Sequence, residues 1–297
     1  MRTSMNRRWS PVLTLTSVSL LLLMPVALSS QSSERTVYAA VLNRDGMPVT
    51  DLAARDFIVR EGDVEREVLR ASRATDPFQM AVLVDNSTAL NPYLIDVRAG
   101  LAEFIREMGG QNDIALVGFG SRPTILVDYT RDVKKLSDGA SRLFPETLSG
   151  GYLLDAIIEV GRGLKKREGT RRALVIVGTT IGQEFSERYH RYVLDELRDS
   201  GATLHAYMIG KPNPLTDDYA RERSLTIDQG AEMTGGRQQD LLTSSSLPGK
   251  MRELAAEIKN QYAVVYSRPQ SLIPPDSIEV GVRRPELVVR AQRVLPK

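Results

Sequence analysis

Cysteine is absent from the 297 residues, and histidine occurs only twice. The first absence excludes disulfides, thiol nucleophiles and cysteine-zinc sites. The second leaves His190, in an amphipathic helical stretch, and His205, which alternates with Leu204 and Ala206 in a strand-like run. Both positions suit ordinary structural histidines. No Gly-x-Ser-x-Gly elbow, phosphate loop ending in Gly-Lys-Ser/Thr or His-Glu-x-x-His pair occurs. Asp217-Asp218 and Glu184 have no recognisable acid/base partner and read as solvated loop carboxylates. The catalytic inventory is therefore empty, no cofactor is expected, and the chain reads as a non-enzyme. Long basic runs are lacking as well. The densest cluster, Lys165, Lys166, Arg167, Arg171 and Arg172, falls at a predicted helix end and the following turn, where solvated cations complement the helix dipole. That pattern makes a poor nucleic-acid surface.

What is present is ordinary for a globular protein, with 42% hydrophobic and 26% charged residues. The length suits one sizeable core and a smaller unit. Residues 1–30 differ from the rest: Arg2, Arg7 and Arg8 precede the apolar run Val12 to Leu28, small residues Ser29 and Ser30 follow, and no acid occurs. This reads as a secretory signal peptide cut near Ser29 or Ser30, with a single-span anchor as the competing reading. Thr14, Thr16, Ser17 and Ser19 interrupt the run, which is short against the ~20 apolar residues of a span. Arg7-Arg8 does not continue as a good twin-arginine signal, so the general secretory route is expected. Without residues 1–30 the net charge changes from +2 to −1, and Trp9, the only tryptophan, is lost with them. The expected location is periplasmic or secreted, with no membrane span after cleavage.

Residues 36–72 read as strands joined by tight turns at Asp45-Gly46 and Gly62-Asp63. From Gln79 the pattern changes to apolar runs alternating with helical stretches, the signature of a parallel sheet with crossover helices. Met80–Ala89, MAVLVDNSTA, is a buried-type strand that stops at Asp85. Asn91-Pro92 is read as the next helix start, Asn91 as N-cap and Pro92 as first residue, with a stripe from Leu94 to Met108 and a stop at Gly109-Gly110. The runs Ile114–Gly118 and Thr124–Asp128 lie so close together that they require an antiparallel hairpin. Helices near 133–143 and 153–164, a strand at 173–177, a helix at 187–197, a strand at 203–208 and helices near 219–233 and 251–258 follow. A strand at 262–267 is assigned with the core. Beyond the Pro-rich link 268–276 lie strand-like runs at 277–282 and 287–294. A lone hairpin is marginal in water, so residues 31–75 and 268–297 are expected to pack together as a small β unit beside a core at 76–267.

The exit of the first core strand, Asp85-Asn86-Ser87-Thr88-Ala89, resembles the opening of a von Willebrand factor A-type (VWA) domain. The order of elements agrees with it. The segments NRDGMPVTDLAARDFIVREGD, TGGRQQDL and NQYAVVYSRP are similar to those of exported bacterial VWA-related proteins that carry β segments on both sides of the core. The resemblance implies an α/β fold, a mostly parallel sheet with helices on both faces.

It also implies a metal site, built from Asp-x-Ser-x-Ser, a Thr before a middle helix and an Asp after the fourth strand. Asp85 and Ser87 match that pattern here, whereas Ala89, Gly151 and Thr179 stand where the third, fourth and fifth ligands would be. One carboxylate is left where two would offset a dication's charge, and neutral hydroxyls on Thr88, Tyr152, Thr179 and Thr180 do not restore it. A metal-independent face built from the loops around Asp85, Ser87, Ala89, Gly151, Tyr152 and Thr179 is the reading adopted, with no metal. A weak Mg²⁺ or Ca²⁺ site with waters in place of the lost ligands is its rival, and Asp85 capping loop N–H groups needs no ion at all. The function expected is a protein-binding module of the cell envelope or secreted space. The alternatives are a metal-dependent adhesion domain, an enzyme of unrecognised class and a passive scaffold.

Overall fold

The computed structural model describes residues 32–211, 218–270 and 275–296; the expected signal segment and Asp217 lie outside the described residues. In chain order the elements are β1 (Ser32–Leu42), β2 (Phe57–Glu61), β3 (Val64–Arg66), β4 (Val68–Arg73), β5 (Phe78–Val84), α1 (Leu94–Met108), β6 (Asp113–Gly118), β7 (Thr124–Thr130), α2 (Val133–Ser141), α3 (Leu153–Lys165), β8 (Arg171–Thr179), α4 (His190–Ser200), β9 (Ala202–Ile209), α5 (Asp218–Thr234), β10 (Gln238–Leu241), α6 (Leu247–Lys259), β11 (Tyr262–Pro269), β12 (Ile278–Val282) and β13 (Val288–Ala291).

Six strands form the central sheet in the order β10-β9-β8-β5-β6-β7. All neighbours are parallel except the β6–β7 hairpin, where the short link dictates reversal. Side chains alternate across a strand, and the core divides accordingly. Met80, Val82 and Val84 of β5 face one cluster with Val97, Leu101 and Phe104 of α1 and Met251 and Leu254 of α6. Ala81 and Leu83 face the other, with Ile157 of α3, Val193 and Leu197 of α4 and Ile227 of α5. A strand buried on both faces favours apolar residues, which is why Met80–Val84 reads as unbroken aliphatic, and the polar Gln79 before it is hydrogen-bonded to Asp113 and Arg167.

The remaining strands form two antiparallel sheets, β13-β1-β11-β4 and β12-β2-β3. Val37, Ala39 and Val264 from the first share one apolar cluster with Phe57, Val59 and Ile278 from the second, and Phe57 meets Tyr262 edge-on at 5.1 Å. Chain-distant segments pair here: Val59 lies opposite Val280 and Val41 opposite Val289. Glu61 is buried among them, accepting from Tyr266 Oη at 2.8 Å and Arg66 Nε at 3.0 Å.

Several sequence expectations change. Tyr262–Pro269 pairs with β1 and β4 and not with the central sheet, because apolar alternation marks a strand without naming its neighbours. The run 64–71 breaks at Glu67 into β3 and β4, which belong to different sheets. Asn91-Pro92 does not start α1. A 3₁₀ turn spans Thr88–Tyr93, with Ser87 at its N-cap, and α1 begins at Leu94. Gln238–Leu241, too polar to read as a strand, pairs in parallel with β9 at the sheet edge. His190 starts α4, its backbone N–H and its ring Nδ1 both 2.6 Å from Glu222 Oε2.

His205 lies in the middle of β9 and is fully buried, and desolvation pushes its imidazole pKa down to about 4. The unfolded chain protonates near ~6.5. Folding stability from this group is therefore present above that value and is lost as pH falls toward 4. Urea unfolding at pH 7 and at about pH 4.5 is expected to show a drop that is smaller in His205→Leu. An equal drop in both proteins would refute this account. A second expectation concerns the antiparallel sheets. Deleting residues 277–297 removes β12 and β13 from the edges of β2 and β1, so limited proteolysis should cut within 32–66, and unchanged protection there would count against it.

Candidate functional site

Asp85 follows β5 directly and Thr179 ends β8, so both stand at the carboxyl ends of adjacent parallel strands. Their side chains meet: Thr179 Oγ1 donates to Asp85 Oδ2 at 2.7 Å. The other oxygen, Oδ1, accepts from the Ser87 backbone N–H at 2.9 Å, and Ser87 Oγ accepts from the Ala89 N–H at 3.3 Å. Asp85, Ser87 and Thr179 are each 3% exposed or less, while Ala89 and Tyr152 are half-buried. The loops around them are knitted together. Asn86 Oδ1 accepts from Gly120 N–H at 2.6 Å, Asn86 Nδ2 donates to Glu146 Oε1 at 3.0 Å, and Tyr152 N–H donates to Phe119 O at 2.7 Å.

A segment absent from the expected site closes it. The loop after β8, residues 180–186, folds back over the crevice and pairs by backbone with Gly151. Gly151 N–H donates to Gln183 O at 2.7 Å, and Phe185 N–H donates to Gly151 O at 2.8 Å. Gly182 sits directly over the carboxylate: a Cβ there would lie 3.0 Å from Thr179 Oγ1, 3.5 Å from Ala89 Cβ and 3.6 Å from Asp85 Oδ2. Arg223 of α5, itself buried, fastens the loop by donating to Gly182 O at 2.7 Å and Thr180 O at 3.2 Å. Glu184 is buried rather than solvated; its Oε1 accepts from Ser186 N–H, and desolvation raises its pKa against the opposing pull of Ser186 and Arg223. Nothing in the local sequence marks Arg223 for this task. The one visible signal was Gly182, in a loop where a β-carbon would crowd the carboxylate.

Around the closed crevice the loops carry exposed apolar side chains. Phe144 lies under the Arg98 guanidinium at 4.6 Å, and Phe185 packs over Gly150 and beside Tyr152. Ile181 is exposed on the closing loop. Leu148 is fully exposed and has φ 54°, a left-handed backbone that disfavours a branched aliphatic residue.

Residues 80–180 match the sequence profile of the von Willebrand factor type A domain. That stretch runs from β5 to the start of the closing loop. Over those residues the chain carries a von Willebrand factor type A domain. Among solved structures, a von Willebrand factor type A protein from Catenulispora acidiphila is similar in fold at 9% identity and a TM-score of 0.51, covering 88% of this chain and 74% of that one. The conserved hypothetical protein BatB from Bacteroides thetaiotaomicron matches at 15% identity and a TM-score of 0.47, over 62% of this chain and all of that one. The domain of the type V pili tip protein Mfa5 from Porphyromonas gingivalis matches at 13% identity and a TM-score of 0.45, over 62% and 96% of the two chains. No curated protein sequence matches.

A small divalent ion in a VWA domain needs about six oxygen ligands presenting lone pairs. Here both Asp85 oxygens face hydrogen-bond donors, the Thr179 hydroxyl points its proton at the carboxylate, and Ala89 offers a methyl group. The residues present do not fit the ion. Restoring Ala89→Ser, Gly151→Thr and Thr179→Asp together would place a β-carbon at position 151 some 3.2 Å from Gln183 O, so the closing loop has to give by a few tenths of an ångström to admit it.

Calorimetric titration of the protein with Mg²⁺, Mn²⁺ and Ca²⁺ is expected to show no submillimolar binding, and the triple variant is expected to gain it once Gln183 O gives way. Submillimolar binding abolished by Asp85→Ala would overturn the reading. Thr179→Val, which leaves a buried carboxylate oxygen without its donor, is expected to lower unfolding stability by about 1.5–3 kcal/mol.

Proposed function

We propose that this chain is a non-catalytic protein-binding module of the bacterial cell envelope or secreted space, and that it holds its partner without a required metal ion. The contact surface lies at the carboxyl ends of the central strands. Asp85, Ser87, Gly151 and Thr179 form its floor, and Phe144, Leu148, Ile181 and Phe185 supply the contacting side chains.

The carrying observation is Leu148. An exposed leucine held at positive φ costs about 1–2 kcal/mol of backbone strain and buries nothing in its own chain. Strain that persists with no internal compensation points to a role outside the fold. Exposed aromatic and aliphatic side chains on neighbouring loops are the chemistry of an interface, in which a few anchors carry most of the energy. The sequence supports export through the pattern of residues 1–30, and the antiparallel strands, read as one small β unit beside the VWA domain, serve as its support. Among the described residues no helix is long and apolar enough to cross a membrane.

The test is recovery of a partner from an envelope extract by the immobilised protein. Leu148→Asp suits its left-handed position and leaves folding undisturbed, yet it is expected to weaken capture by about 2 kcal/mol or more, roughly thirty-fold. Capture is expected to survive EDTA. Release by EDTA, or a screened substrate whose turnover is lost in Asp85→Asn, would reverse the proposal in favour of a metal-dependent adhesin or an enzyme.

A further inference from the structure

The loop that closes the crevice holds an acid in a place where an ionised carboxylate is left half satisfied. Glu184 is 1% exposed and stands between Gln183 and Phe185, the two residues whose backbones pair with Gly151. Its Oε1 accepts from the Ser186 N–H at 3.1 Å, whereas its Oε2 is buried with no hydrogen-bond partner among the described residues. An ionised carboxylate has lone pairs on both oxygens to satisfy, and one taken out of water without partners binds a proton instead. The neutral acid loses far less on burial.

The groups around Glu184 do not reverse this. Arg223 of α5 favours the charged form, but its Nη1 and Nη2 donate to Gly182 O and Thr180 O, so it acts on Glu184 through charge alone. On α3, the Asp155 carboxylate is paired with Arg188, and the Leu153 N–H favours ionised Glu184. Asp85, beneath the loop, is met by the Ser87 N–H and the Thr179 hydroxyl. Desolvation outweighs Ser186, Arg223 and Leu153, and the Glu184 pKa is raised.

We propose that residues 181–186 are a proton-controlled latch over the crevice, closed while Glu184 is neutral and released when it ionises and its free oxygen takes up water. The closed form binds the proton more tightly than the open form. Closure is therefore fully stabilised in acid, weakens as pH rises from about 4.3, where a solvated Glu ionises, and levels off above the closed-state value. A single proton limits the change in the opening constant to about ten-fold per pH unit. Opening gives solvent access to the Asp85–Thr179 pair and carries Ile181 and Phe185 away from the rim. This last consequence rests on the partner-binding reading above: a partner that uses those side chains is held more firmly in acid.

The test is amide hydrogen exchange of the purified protein, detected by NMR between pH 5 and pH 8 and corrected for the intrinsic pH dependence of exchange. It needs no partner, so its failure is distinct from failure of the binding reading. The Gly151 N–H, bonded to Gln183 O, and the Phe185 N–H, bonded to Gly151 O, report the latch; the Asp85 N–H, bonded to Val177 O, reports the central sheet. Gly151 and Phe185 are expected to lose protection as pH rises, by at most about ten-fold per unit, while Asp85 keeps or gains protection as His205 of the unfolded chain loses its proton. Glu184→Gln, neutral at every pH, should keep the latch closed and remove the pH dependence. His190→Gln, which changes the titratable side chain that opens α4, should leave it intact. Equal protection of Gly151 and Phe185 at pH 5 and pH 8, an equal loss at Asp85, a pH dependence that survives in Glu184→Gln, or one abolished by His190→Gln would each overturn the proposal. If Glu184→Gln does not fold, the wild-type comparison of Phe185 with Asp85 decides alone.

Discussion

Strand β5 is buried on both faces for its whole length, and this constraint sets the geometry of the molecule. Helices must cover each side of it, so the chain leaves β5 through α1 to reach β6 on one flank and later returns through α3 to β8 on the other. The two crossovers diverge at the carboxyl end of β5, and the crevice between them opens over the residue that follows the strand. That residue is Asp85. Its position is thus a product of topology before any question of ligands arises, and every group around it has to accommodate a carboxylate drawn into the end of an apolar sheet.

The accommodation uses protons where a VWA metal site would use a cation. A carboxylate buried at the end of β5 is destabilised unless its lone pairs are met, and hydrogen bonds from donors to a charged acceptor are each stronger than neutral ones. Ser87 N–H and the Thr179 hydroxyl provide two. Thr179 therefore does more than fail to be an aspartate: an aspartate would place a second negative charge against Asp85, whereas the threonine supplies a donor. Once that pair is satisfied internally, the loop carrying Gly182 can close over it, and Arg223 holds the loop through its carbonyls while its charge favours the buried Glu184 carboxylate. On the proposed reading, what this end offers a partner is the apolar side chains of the rim.

The continuous apolar run of β5, the stripe of α1 and the short link between β6 and β7 were all legible in the sequence, because each is a local pattern with one physical reading. What escaped depended on neighbours. Residues 262–269 alternate as any half-buried strand does, and only the pairing of Val264 with Val37 and Ala71 shows which sheet they complete. Gln238–Leu241 is held by backbone bonds to β9 with little apolar burial, so periodicity had nothing to detect. Arg171 and Glu184 carry charge, and charge is read as solvent exposure by default. Of the site, the identities of Asp85, Ser87, Ala89, Gly151 and Thr179 could be aligned by eye, but the closing loop could not, since its contacts are made by carbonyls that no side-chain pattern records.

Arg171 is the joint between the central sheet and the antiparallel sheets, and its identity follows from the task. The chain crosses between the two units at residues 74–77 and again at 259–261, and the guanidinium reaches both crossings, through Asp76 O on one side and Ile258 O and Gln261 on the other. The ring of Tyr38, from β1, closes the stack. A planar group with donors on three edges and two faces for aromatic contact can join five elements at one point, which a lysine ammonium cannot. The joint lies at the amino end of β8 and the closed crevice at its carboxyl end, a separation of roughly 25–30 Å along nine residues of strand. The loops at the far end can therefore vary without disturbing the group that holds the two sets of sheets together.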